Sequence, residues 1–201
     1  MFYKYDYFGK EVLARLMAEE RRGNKRARDI LGLLKEDVKA LPLLERAAKG
    51  AIFPWHDYLC EAVFCYSDGM DYAAIAMAGM SLEALLGEEI LREAGEITDA
   101  PTKTAPNARE FSPGKKYAEI KTKPLGFKIE AVKKKEAAIA DSLERINAIR
   151  NEYVHRPNDA AMRHISSATD KAAVNASAKI REDALDSLRC LLVAVAYFGE
   201  K

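Results

Sequence analysis

Cysteine is scarce in this chain: Cys60, Cys65 and Cys190 are the three in 201 residues. An odd set without framework spacing excludes a disulfide-stapled scaffold, and a reducing, cytoplasmic setting is the expectation. No apolar run approaches the roughly 20 residues that a bilayer span requires, so no membrane association is expected. Met1 to Phe8 lack a basic segment leading into an aliphatic core, so no secretory signal is read there. Alternating strand patterns and internal repeats do not stand out. Excess charge is missing too. With 32 basic against 31 acidic residues the net charge is +1, which excludes a polycation that coats nucleic acid by bulk charge.

What remains is a composition suited to helices. Apolar residues make up 49% and charged ones 31%, and the length suits one domain with a sizeable core. Apolar residues recur at helical spacing from Glu11 to Arg22, from Asp29 to Leu41, after Pro42 to Ala48, and from Pro54 onward. The longest such pattern runs from Tyr72 to Ala94, with Ile75, Gly79, Leu82, Leu86 and Ile90 on one stripe and Gly95 as its stop. Asp68 and Asp71 are candidate caps for it. Gly79 and Ser81 would let a neighbouring helix approach closely, and Glu83 flanks the stripe as an ion-paired or site-reaching carboxylate. Helix resumes at Phe127 and runs through Lys133-Lys134-Lys135 to His155, where Pro157 ends it. After a polar connection to about Ala178, a last helix spans Ile180 to Phe198. The expected fold is all-α, an antiparallel helical bundle over residues 51–201 with an N-terminal helical extension over 1–50.

Charge is uneven along the chain. Between Thr102 and Lys135 stand ten basic residues and three acidic ones, and four of the seven prolines fall between Pro101 and Pro124. Residues 96–126 therefore read as an inserted basic loop, long enough to be functional or mobile. Two further clusters have bland readings. Five of the first eight residues are aromatic, a packing cluster more readily than a base-stacking one. His56 and Cys60 lie one turn apart with Cys65 beyond, but a fourth ligand and a paired-cysteine spacing are missing, so no metal and no cofactor is expected.

The informative stretch is Ile146 to Pro157. Asn151 and His155 are four apart on one helical face, close enough for the amide to orient the imidazole. Arg150 lies five residues before His155, roughly 140° round an ideal helix. RNA strand scission by internal transfer asks for a base at the 2′-hydroxyl, an acid at the departing 5′-oxygen and a cation on the phosphate. Histidine suits both proton roles near neutral pH, and arginine binds phosphate oxygens with a forked contact. Arg156, Lys133, Lys134 and Lys135 are candidate phosphate-tracking charges. A single chain brings one such histidine, so two proton roles motivate a symmetric homodimer.

The Arg-Asn-x-x-x-His motif at Arg150, Asn151 and His155, on a bundle helix followed by a final apolar helix, resembles the HEPN domain family (higher eukaryotes and prokaryotes nucleotide-binding). The stretch Ala76 to Leu86 is similar to the long helix that commonly precedes the motif. The resemblance covers roughly Trp55 to Phe198, leaving out the first fifty residues and the lysine-rich insertion. It implies a metal-independent endoribonuclease, often a toxin or defence protein, with RNA as substrate, a composite site at a dimer interface and a neutralising antitoxin-type partner. Three functions compete on these residues. The first is RNA cleavage. The second is a non-catalytic module that binds nucleotide or RNA, or assembles with protein, through the same groove. The third is a purely structural helical partner.

Overall fold

The computed structural model describes residues 8–36, 53–99, 109–153 and 170–199. Among these, eight α-helices and one two-stranded hairpin are formed: α1 Phe8–Arg21, α2 Lys25–Glu36, α3 Trp55–Ser67, α4 Asp71–Glu93, β1 Ile97–Asp99, β2 Arg109–Phe111, α5 Lys115–Ile120, α6 Leu125–Lys133, α7 Ala140–Tyr153 and α8 Asp170–Gly199. The helix expected after Pro42 lies outside the described residues, as do the aromatic residues before Phe8.

Everything is arranged around α4, which packs against α3, α5, α6, α7, α8 and β1. Its sequence explains this centrality. Ile75, Ala78, Leu82, Leu85, Leu86 and Leu91 are buried on several sides rather than one stripe, as a helix surrounded by neighbours must be. Each large aliphatic side chain so removed from water contributes about 1.5–3 kcal/mol. Ser81 sits in the same helix fully buried, its hydroxyl donating to the Trp55 carbonyl at 2.6 Å. That bond fixes the start of α3 against the middle of α4 and satisfies a polar group that burial would otherwise penalise.

Asp71 and Asp68 do not cap α4. Met70 holds the N-cap position without a side-chain bond. Asp71 instead takes a forked ion pair from Arg26 of α2, at 2.9 Å through Nη2, and Asp68 takes Arg15 of α1 at 3.2 Å. Leu16, Ala27 and Ile30 belong to the same buried cluster as α3 and α4. Asp29 of α2 accepts from Tyr66 Oη at 3.1 Å and from Arg181 of α8 at 2.6 Å.

Three features depart from the sequence reading. The stretch after α4 contains a short antiparallel ladder, Ile97 opposite Phe111 and Asp99 opposite Arg109; three-residue strands are too short for a period of two to register. What reads as a loop to Gly126 contains α5 and the start of α6. The cause is Glu96, just beyond Gly95 at φ 73°. Its carboxylate accepts from the backbone N–H of Gly114, Lys116 and Tyr117 at 2.9, 2.7 and 2.9 Å and so starts α5. Finally, α8 begins at Asp170, not near Ala178: the alanines of that stretch favour helix more than the polar residues oppose it.

Candidate functional site

Along α7 the buried positions are Leu143, Ile146, Ile149 and Tyr153. Arg150 lies four residues after Ile146 and three before Tyr153, so helical geometry turns it onto the same inward stripe. Gly79 of α4 makes room for it. A Cβ at position 79 would stand 2.4 Å from Arg150 Cδ and 2.9 Å from its Nε. One turn further along α4, Glu83 meets the guanidinium, Oε2 to Nη2 at 3.5 Å. The Arg150 side chain is 15% exposed, and its buried Nε has no hydrogen-bond partner among the described residues. The guanidinium is therefore recessed and incompletely satisfied. Arginine carries its charge at any ordinary pH.

Glu83 faces a second cation. Lys128 of α6 donates from Nζ to the Glu83 main-chain carbonyl at 3.3 Å and lies 3.6 Å from the carboxylate Oε1. Its side chain is only 9% exposed. Burial pulls the Lys128 ammonium below its usual pKa; Glu83 offsets part of that and Arg150 adds to it. One carboxylate thus stands between two recessed cations from two other helices.

Asn151 is exposed, one residue round the helix from Arg150. Tyr153 anchors the end of α7. Its hydroxyl donates to Asp183 of α8 at 2.6 Å, and its ring meets Tyr72 of α4 edge-on at 5.8 Å. Asp183, itself buried, also takes Lys179 at 2.8 Å and Arg145 at 3.3 Å. Burial, with the nearby Asp183 carboxylate, raises the Tyr153 phenol well above its ordinary value. His155 and Arg156 lie outside the described residues.

The lysine run begins at the last residue of α6. Lys133 is engaged with Glu130 at 2.5 Å and with Glu144 at 2.7 Å. Lys135 pairs with Glu93 at the far end of α4 at 2.7 Å, and Lys134 is exposed. Glu93 is fourteen residues from Gly79, about 21 Å along the helix. Lys135 is thereby held away from Arg150, and the fold brings Glu83 to Arg150 and Lys128 to Glu83. Lys128 is not singled out by its sequence, although with Leu125, Ile129 and Val132 it occupies the i, i+3, i+4, i+7 pattern of a buried face.

His56 and Cys60 are both buried, with Cys60 Sγ 3.9–4.0 Å from the imidazole nitrogens. Burial lowers the His56 pKa and raises that of the Cys60 thiol. No group of three side chains able to hold a metal ion gathers among the described residues. No helix among them is long and apolar enough to cross a membrane.

Comparison with known proteins gives no match to a family model, to a curated protein or to a solved structure.

Proposed function

We propose that the chain is a HEPN-like, metal-independent endoribonuclease centred on the end of α7. The observation that carries this reading is the state of Arg150. A purely structural arginine in a core uses its forked donors in close, parallel bonds. Among the described residues Arg150 has a single ion pair, at 3.5 Å, and its buried Nε has no acceptor. Part-exposed and paired at long range, the guanidinium retains donors that suit a phosphate oxygen. Seated over Gly79, the side chain is also pre-positioned, so little ordering is needed when substrate arrives.

In the reaction proposed, a base removes the 2′-hydroxyl proton and the 2′-oxygen attacks the adjacent phosphorus. The bond from phosphorus to the 5′-oxygen breaks, an acid protonates that oxygen, and the product ends in a 2′,3′-cyclic phosphate. His155 is the proton carrier, Arg150 the phosphate clamp and Asn151 the orienting amide. Two proton roles with one motif histidine per chain call for a homodimer that pairs two copies of the motif. Arg156 tracks the RNA backbone in this scheme. The test is incubation of the purified chain with mixed RNA in chelator, beside His155→Ala.

A second reading rests on a specific observation as well. Glu83 already shares its carboxylate with Arg150 and Lys128, so the same residues suit a module that binds nucleotide or RNA without turnover. A parent protein that retains RNA and leaves it intact favours that reading.

A further inference from the structure

A half-enclosed cavity of about 190 Å³ lies beside Glu83, formed by α4, α5 and α6. Most of its wall is apolar. Leu91 and Ile120 are buried aliphatic side chains, and Tyr117 with Phe53 makes an aromatic side. That side is firm, because Phe111 meets both rings edge-on, at 5.2 and 5.8 Å. Lys128 and Glu83 form the recessed polar end, with Gly87 on the α4 side.

Three charged side chains line the cavity, Lys128, Lys121 and Glu83. Two cations and one carboxylate leave a charge of +1. Arg150 does not line it, although it draws on the same carboxylate through Oε2 at 3.5 Å. Lys128 is under-used where it stands. Among the described residues its Nζ makes one hydrogen bond, to the Glu83 main-chain carbonyl at 3.3 Å, while the carboxylate Oε1 stays at 3.6 Å. An ammonium carries three N–H donors, so two are left without an acceptor in bonding reach. The fold itself bears the cost of burying this side chain. A carboxylate arriving there finds a positioned, poorly hydrated cation and has little ordering to do. Lys121 sits at the outer wall, its Nζ 5.9 Å from the centre of the Tyr117 ring. The lining therefore suits one negative charge on an apolar body. Volume limits that body: an apolar cavity of about 150 Å³ holds a benzene molecule, whereas drug-sized ligands fill roughly 300–1,000 Å³.

We infer that this cavity binds a small apolar monocarboxylate, with the carboxylate on Lys128 and the apolar body against Tyr117, Phe53 and Ile120. The inference does not need RNA cleavage. A chain that cuts RNA but ignores the carboxylate loses only this site, and the reverse result loses only the nuclease.

Titration of the full chain with benzoate, followed by amide chemical shifts and run beside benzamide and acetate, tests it. Benzoate should saturate, with its shifts centred on Gly87, Tyr117 and Ile120. Benzamide lacks the charge and acetate the ring, so each should bind weaker by about tenfold or more. Lys128→Met keeps the buried stem, removes the charge and should weaken benzoate on the same scale. Gly87→Ala provides a check that does not touch a charge. Its Cβ would stand 3.7 Å from Lys128 Nζ, an ordinary contact, and it removes a helix-interior glycine. It should fold at least as stably as the parent yet bind benzoate severalfold more weakly, because the cavity is narrowed beside the ammonium. Absence of saturable binding overturns the inference, as do shifts centred away from the cavity or unchanged affinity in Gly87→Ala. Benzamide or acetate binding as tightly as benzoate overturns it too. Should Lys128→Met fail to fold, the Gly87→Ala result decides.

Discussion

Arg150 lies across α4 at Gly79, so close that a Cβ on residue 79 would come within 2.4 Å of Arg150 Cδ. The glycine is there for a neighbour's side chain, since the backbone of α4 stays helical through it. α4 and α7 thereby hold one guanidinium in one place.

Gly79→Ala should therefore move Arg150 without removing a charged group. The helix gains about 0.5–1 kcal/mol from losing a glycine, and displacing a flexible side chain offsets part of it, so urea unfolding should stay close to the parent's. RNA cleavage should fall by up to about 10²-fold, the scale at which a shifted catalytic group costs rate. Normal cleavage in a folded Gly79→Ala protein would separate Arg150 from the chemistry.

Tyr153→Phe probes the anchor at the end of α7. The phenol is Asp183's shortest bond, while Lys179 and Arg145 remain to hold the carboxylate. Loss of that hydroxyl should cost about 1–2 kcal/mol in equilibrium unfolding. A cost near zero would mean that the bond is not maintained in solution.

Much of this arrangement is written in the sequence, and what escapes reading does so for physical reasons. The long α4 is legible because its apolar spacing persists over six turns. Arg150 and Asn151 stand out through the motif they share with His155. Its inward direction is legible in retrospect from Ile146 and Tyr153 on the same stripe. Lys128 is masked by its surroundings, one lysine in a lysine-rich stretch, although its place on the Leu125–Ile129–Val132 face sets it apart. The ladder between Ile97 and Phe111 and the start of α5 depend on Glu96 reaching across the chain to Gly114, a contact that no local periodicity encodes. Lys133 pairs with Glu144 and Lys135 with Glu93, partners that lie far off in the chain, beyond the reach of local periodicity.

A pH dependence should arise at Glu89 of α4. Burial raises its carboxyl from the usual 4.5 to about 7, with Arg92 pulling the other way. The folded state then holds a proton that the unfolded chain has released between those two values. Its contribution to stability is fully present below the unfolded pKa and is lost as pH rises through about 7. Midpoints of urea unfolding at pH 5 and pH 8 should differ less for Glu89→Gln than for the parent. An equal pH response in both proteins would assign the dependence to other groups.

The homodimer has its own measurement. Light scattering at micromolar concentration should give twice the chain mass for the active protein. A monomer that still cleaves RNA would contradict the pairing of two motifs.

The most direct measurement is cleavage of RNA in chelator by the parent and by His155→Ala, with the product end identified. The parent should cut and leave a 2′,3′-cyclic phosphate, while His155→Ala should be slower by about a hundredfold or more, the scale of a lost acid–base group. Arg150→Ala should behave alike, Arg150→Lys should recover little for want of the forked contact, and the exposed Asn151→Ala should lose less. A His155→Ala protein with unchanged helical circular dichroism that cuts RNA as fast as the parent would contradict the assignment of the site.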